Sequence, residues 1–418
     1  MSNFTTNTYT LKREILNFSN KISKELPKPD RKFIADITYG MLASNSCLLT
    51  DIADQLYEDS KKVNIVERLT RHLDNGIPKK ALISYLRNVR KWIPDDPVIH
   101  IDDSDVVKPY GHKFEAIGIV RDGSKSGNSK NVYEKGYHVT EACAITKSNH
   151  PVSIYSKIHS SLQTNYTSAN TFTFEAMKRG KDLFGKATFV MDRGYDDNKM
   201  FLKLDELEQD YVIRLTAKRK LFFHNKWVPA TQLRNMRKGK IKTSVCYHGK
   251  EHDAYLSHVK VQITASKKDI YLVLVYGLSD NPMMLATNKS LKSKEDVVRI
   301  ARIYFSRWRI EEYFRAKKQV FQLENFRVRK LKAINALNFY ITVCMAFLSL
   351  ISLKSDTNTL KSSIIQKADP IKEKVRFFYY RLAKGISSIL SYAKEGVRLW
   401  FKPKPRPKYR QLCIKLIC

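Results

Sequence analysis

From Ala336 to Leu353 the chain runs for 18 residues without a charge, and basic residues flank the run on both sides. Such a segment has two places to go: across a bilayer, or through the centre of a protein large enough to surround it. A membrane span needs roughly 20 predominantly apolar residues. This run is marginally short and carries Asn338, Tyr340, Thr342, Ser349 and Ser352. A buried core helix is therefore the expectation, and no membrane partner is expected. The chain has the material to surround it: of its 418 residues, 43% are hydrophobic and 11% aromatic, which also excludes a wholly disordered basic protein. Its length suggests two or three domains.

The polar start Met1-Ser-Asn-Phe-Thr-Thr-Asn7 lacks the basic and apolar parts of a secretory signal. Six cysteines are scattered without a C-x-x-C pair, which suggests neither a zinc ribbon nor a disulfide framework. A reducing, cytoplasmic setting is expected. The 75 Lys and Arg residues outnumber 41 Asp and Glu, for a formal charge of +34, so a polyanion is the first partner to consider. The surplus is uneven: about +4 before Val98, +11 from Lys372 onward and +19 between them.

Residues 1–96 have helical spacing. Within them, Leu48–Leu56 and Val63–Leu73, joined by a polar turn, have the outline of a helix-turn-helix and equally of a small helical bundle. The prolines of Trp92-Ile-Pro-Asp-Asp-Pro97 mark a boundary. Beyond it come strand-like runs at 98–102, 137–145 and 152–158, a helical run at 173–184, a strand at 187–192, another helix, and a fifth strand at 211–215. That order describes a mixed α/β sheet over 97–215. Alternating strands then suggest a β-rich insertion at 216–292. Residues 293–355 return to helix, with Ser293 as N-cap and Asp296 three residues on. This helix is expected to continue unbroken to at least Gln322. Residues 356–418 form a helical, basic C-terminal region, whose Lys402-Pro-Lys-Pro-Arg-Pro-Lys-Tyr-Arg410 segment is expected to be extended and flexible.

Two strands run directly into acids: Val98-Ile-His-Ile into Asp102-Asp103, and Thr188-Phe-Val-Met into Asp192. Strand ends next to loops are where open α/β sheets place catalytic groups, although a lone acid there also serves as a turn former. On the helix, Tyr304, Arg307, Glu311 and Lys318 fall within an arc of roughly 60° at about 100° per residue, with Arg315 bordering it. A solvated face with i,i+4 ion pairs has the same pattern. Against that, Phe305, Trp308, Ile310 and Phe314 require much of the helix to be covered. Three acids and no soft ligand suit Mg²⁺ or Mn²⁺, and two such ions about 4 Å apart catalyse phosphodiester displacement. H-E-x-x-H, Walker A, G-x-G-x-x-G and G-x-S-x-G motifs do not occur.

With these residues in view, the chain resembles the DDE transposases of bacterial insertion sequences, in the group with the Tyr-x2-Arg-x3-Glu-x6-Lys signature. Tyr304, Arg307, Glu311 and Lys318 match its spacing, Asp192-Arg-Gly-Tyr195 is like the second-aspartate motif, and Asp102-Asp103-Ser104 fits the first. Asp102 is the better match, while the doublet leaves Asp103 as a competitor. The resemblance implies an RNase H-like catalytic domain interrupted by a β-rich insertion, with a helical N-terminal DNA-binding domain. It implies cleavage of double-stranded DNA at inverted-repeat ends, in many relatives through a hairpin, and joining of the 3′ ends to target DNA within a homodimer. By carry-over, Asp102, Asp192 and Glu311 would hold two metal ions. Tyr304, Arg307 and Lys318, with Arg193 and Arg315 beside them, would contact DNA in a nucleoid-associated protein. Some relatives stack a flipped base on an aromatic of the insertion; for Trp227, the only tryptophan there, a core role is expected. His138 and His100 are expected to be packed sheet residues.

Overall fold

The computed structural model describes residues 2–401 apart from 124, 128–129, 248–249, 265–266 and 369–378. The prolyl-lysyl segment 402–410 lies outside the described residues. Five helices come first: α1 (Ser2–Ser23), α2 (Lys28–Ser44), α3 (Leu49–Asp54), α4 (Lys62–Asp74) and α5 (Lys79–Arg90). Strands β1 (Val98–Val107), β2 (Gly118–Arg121), β3 (Tyr133–Ile145) and β4 (Pro151–His159) follow, then α6 (Ala169–Phe184), β5 (Thr188–Met191), α7 (Asn198–Glu206) and β6 (Asp210–Arg214). Next are β7 (Lys220–Phe223), β8 (Lys226–Pro229), α8 (Ala230–Met236), β9 (Ile241–Tyr247), β10 (Lys250–Ile263), β11 (Lys268–Tyr276) and β12 (Met283–Thr287). The chain then forms α9 (Lys294–Phe305), α10 (Trp308–Gln319), α11 (Leu331–Ser352), α12 (Thr359–Lys367) and α13 (Tyr379–Leu390). This is a mixed α/β protein. Strand β2 was not legible in the sequence: its four residues give too short an alternation to register. The short strands β7 and β8, and helix α8, were missed for the same reason.

The central strands lie in the order β4-β3-β1-β5-β6. Strand β3 is antiparallel to both β4 and β1, and β5 and β6 run parallel to β1. Strand β12 pairs antiparallel with β6 and carries the same sheet on through β11, β10, β7 and β8, with β9 on β10. Alternation of side chains assigns the two faces. Val190 and Val212 pack with Val297, Ile300 and Tyr304 of α9, and Val98 borders that cluster. Ile99 and Phe189 face the other way, and Gly180 on α6 lets that helix come close: a Cβ there would stand 2.6 Å from Phe189 and 2.8 Å from Ile99. Helices α9, α10 and α11 therefore cover one face and α6 the other.

Helix α11 contains the uncharged run, and it is a core helix: 89% of its most apolar 18-residue window is buried. Strand β4 packs on one side of it, and α2, α4 and α13 on the others. One continuous core joins the N-terminal helices, α11 and the sheet. Its two asparagines are used. Asn335 accepts from the Ile158 amide at 2.9 Å and donates to the Ile158 carbonyl at 2.9 Å, fastening α11 to β4.

The helix expected to run from Ser293 to at least Gln322 is two helices. Ser293 does cap the first, in a capping box with Asp296. At Ser306-Arg307 the bonding tightens: Arg307 N–H donates to the Tyr304 carbonyl and Ile310 N–H to the Arg307 carbonyl, both spanning three residues instead of four. The Ser306 hydroxyl bonds back to the Ile303 carbonyl at 2.7 Å, a local competitor for helix bonding that no helical period reveals. Helix α10 ends at Gln319.

Beneath α10 lies an ion pair excluded from water. Lys317 Nζ, fully buried, donates to Glu141 Oε2 at 2.7 Å, to Asn338 Oδ1 at 3.1 Å and to Ser156 Oγ at 3.2 Å. It ties α10 to β3, β4 and α11. Removing one partner of such a pair strands the other charge, at a cost of about 3–5 kcal/mol, whereas replacing both costs far less. Lys317→Met should therefore destabilise the protein by that amount in urea unfolding, and Lys317→Met/Glu141→Leu should recover most of the loss. A double variant no more stable than the single one would refute this.

Candidate active site

The parallel register fixes where the first two acids stand. His100 of β1 pairs with Val190 of β5, and Val190 with Val212 of β6. Asp102, Asp192 and Arg214 each follow these residues by two positions. They stand at one height on three adjacent strands and on the α9–α10 face; β5 and β6 finish there, whereas β1 runs on to Val107 instead of stopping at Asp102 as its sequence suggested. The doublet Asp102-Asp103 splits between faces. Asp103 accepts from Thr140 Oγ1 at 2.6 Å on the far face, while Asp102 Oδ2 accepts from Arg307 Nη1 at 2.8 Å.

Arg307 is the hub. Its second terminal nitrogen donates to Glu311 Oε1 one turn on, so a single guanidinium bridges a strand carboxylate and a helix carboxylate. Burial pushes the Asp102 carboxyl up to about 7; Arg307 opposes the shift, and the Asp192 and Glu311 charges add to it. Asp192, Asp102 and Glu311 thus share one electrostatic neighbourhood. Asp192 also caps the short 3₁₀ turn Arg193–Tyr195, accepting from the Gly194 amide at 2.7 Å. A Cβ on Gly194 would come within 3.0 Å of that carboxylate oxygen. Among the described residues, no three His, Cys, Asp or Glu side chains converge closely enough to hold a metal ion. The arginine stands between Asp102 and Glu311. The donor set is nonetheless all carboxylate, held together by a positive charge, and it fits a hard divalent cation in kind.

The remaining candidates are placed as follows. Tyr304 is buried at the end of α9; burial pushes its phenol up, and Arg214 on β6 pulls it down. Lys318 lies two turns after Glu311 on the same helix and pairs with Glu324, beyond the helix end, at 3.1 Å. Arg315 is exposed and paired with Glu312 at 2.5 Å. Arg193 is exposed beside Asp192. Trp227 is not a core residue: it is 45% exposed and lines a recess with Asp196, Asn198, Lys218, Arg219 and Lys220. Four-residue strand β8 buries only Val228, which leaves the indole outside.

The histidines are packed as expected. His138 Nδ1 is bonded to Asp105 Oδ1 at 2.8 Å, which raises its pKa. His100 is fully buried and held neutral by that burial, and it meets Ser306 Oγ at 2.9 Å. The bond was not foreseen, since 206 residues separate the partners. Two further residues escaped the sequence reading. Arg214 ends a strand and looked like any strand-terminal cation. Lys317 did leave a signal: it completes the i, i+3, i+4, i+7 apolar stripe of Ile310, Tyr313 and Phe314, where a lysine requires a buried partner.

These features define an α/β protein with two strand carboxylates and one helix carboxylate gathered around one arginine on one face of adjacent parallel strands. The family model described as the transposase DDE domain matches residues 94–348, and the chain belongs to that family. It is by family a transposase, of a kind that acts in DNA transposition and generally uses divalent metal ions. Among curated proteins, none matches the chain.

Asp102 gives a pH signature. With its folded pKa raised from 3.8 to about 7, the stability it contributes is complete below pH 4 and is lost as pH rises towards 7. In metal-free protein, Asp102→Asn should therefore gain about 1–3 °C in melting temperature relative to wild type between pH 5 and pH 8. An offset between the two proteins that does not change with pH would contradict the assignment.

Proposed function

We propose that the chain is a cut-and-paste DNA transposase that cleaves the inverted-repeat ends of its own insertion sequence and joins the 3′ ends to target DNA. The observation that carries this reading is the bridging of Asp102 and Glu311 by Arg307, beside Asp192 at the same height of the sheet. The strand order β4-β3-β1-β5-β6 supports an RNase H-like catalytic domain, and β7–β12 are its β-rich insertion. Asp102, Asp192 and Glu311 would hold two Mg²⁺ or Mn²⁺ ions, which supply activation of a water or 3′-hydroxyl and stabilisation of the leaving oxygen.

The protein's own groups do the rest. Glu311, half exposed, is free to leave Arg307, and the guanidinium then takes a scissile-strand phosphate in place of its carboxylates. Tyr304 braces Arg214 and Arg307 against the strand ends. Lys318, Arg193 and Arg315 contact the DNA backbone around the cut. Trp227, exposed beside Lys218 and Lys220, offers a face on which an unpaired base stacks. Helices α3 and α4 act as a helix-turn-helix, with the exposed start of α4 towards DNA. The working form is a homodimer on double-stranded DNA in the cytoplasm, associated with the nucleoid.

The test is incubation of the protein with Mg²⁺ and a duplex bearing the element's terminal repeats, comparing wild type with Asp102→Asn, Asp192→Ala and Glu311→Gln. Wild type should nick the ends and each variant should lose at least about 100-fold in rate while still binding. Equal nicking by all four proteins would point to another nuclease in the preparation. Binding without nicking by any of them would favour a non-catalytic basic DNA-binding protein. Cleavage that ignores the terminal repeats would favour another RNase H-like nuclease, such as a resolvase.

A further inference from the structure

A groove of about 850 Å³ lies between α9 and strand β9. Its apolar floor is Val98, Ile145, Ile241, Val298 and Ile303. Its rim carries Lys240, Lys242, Lys294, Arg299, Arg302 and Arg309 against a single acid, Glu295. Not every recess of this size is so unbalanced. A comparable recess beside Lys318 has Lys108, Lys125, Lys318 and Arg327 matched by Asp103, Asp105, Asp122 and Glu324. Arg299 pairs with Asp96 and Lys242 with Asp253, both at exposed sites where such pairs are weak, while Arg302 meets the Thr243 hydroxyl and Arg309 lies over the Trp308 ring. Holding so many like charges on one rim costs self-repulsion that a polyanion would relieve.

We infer that this groove is a binding track for the sugar-phosphate backbone of duplex DNA, separate from the catalytic end. The inference rests on the reading of the chain as a DNA transposase and adds to it the surface that grips DNA away from the cut. From Glu295 to Ile303 the α9 part of the wall is about 12 Å long at 1.5 Å per residue, the length of about three to four base pairs. Residues 295, 298, 299, 302 and 303 recur at helical spacing on α9, so its cations face one way, and Ser306 and Arg309 continue the lining past the turn. Lys240 and Lys242, alternate residues at the start of β9, face them from the opposite wall.

The track is also coupled to the site. Ser306 lines the groove, its hydroxyl holds His100, and the next residue, Arg307, is paired with Asp102. Val98 in the floor and Asp102 lie on the same side of β1, four residues or about 13 Å apart. A strand gripped in the groove would pass the carboxylates about four nucleotides further on.

The experiment is equilibrium binding of the full chain to a random-sequence 40-base-pair duplex without Mg²⁺, followed by fluorescence anisotropy from 50 to 300 mM salt. Lys240→Gln/Lys242→Gln/Arg302→Gln should reduce the slope of log affinity against log salt by about 2 to 3, since each phosphate contact contributes about 0.9. The charge-preserving set Lys240→Arg/Lys242→Arg/Arg302→Lys should keep the wild-type slope. Lys21→Gln/Lys24→Gln/Lys178→Gln, which removes as many exposed lysines elsewhere, should change it by less than 1. If the groove and control triples shift the slope equally, or the charge-preserving set loses it, the track is refuted. Cleavage of terminal repeats reads the proposed function independently: Asp192-dependent nicking with an unchanged slope sinks only the groove, and a reduced slope in a protein that cuts nothing sinks only the transposase reading.

Discussion

Three carboxylates brought to one end of a buried sheet repel one another, and the protein meets that repulsion with a single guanidinium. Arg307 can reach both Asp102 and Glu311 because it sits at the junction of two helices, not in the middle of one. The junction depends on Ser306, whose hydroxyl bonds back to Ile303 and holds buried, neutral His100. His100 lies two residues before Asp102 on the same face of β1. Strand acid, helix turn and arginine are therefore one mechanical unit, and Asp102 is held at a protonation balance near neutrality that a stronger cation would tip towards the charged form.

The rest of the molecule supports that unit at two levels. Helix α11 fills the centre and unites the N-terminal helices with the sheet in one core. Lys317 and Glu141 anchor α10 from below, and Glu141 is the cross-strand neighbour of Asp102. The carboxylate at the surface of the site thus stands beside one that is permanently neutralised in the interior. One acid is paired with Lys317 inside the core and the other with Arg307 at the site, so the two differ in partner as well as in depth.

Much of this was legible in residue order. The start of β1, the strand leading into Asp192, the Ser293 cap, the β-rich stretch after Leu215 and the buried character of Ala336–Leu353 all follow from local pattern, because period, punctuation and charge are local properties. The four-residue spacing of Arg307 and Glu311 already placed them together. Lys318 shows the limit: helical spacing places it two turns from Glu311 but does not reveal that it pairs with Glu324 beyond the end of the helix. Trp227 shows another, since nothing local distinguishes an indole that covers a core from one that stands on the rim of a short strand.

The sequence by itself determined the class of fold, the chemistry of the acids and the family to which they point, because these depend on which residues follow which. Tertiary structure alone decided which aspartate of the doublet faces Arg307, that Arg214 joins Tyr304, that Lys317 is buried against Glu141, and that six cations share one groove. Each of these is a meeting of segments remote in the chain. Strand register and helix packing set such meetings, and a run of neighbouring residues does not encode them.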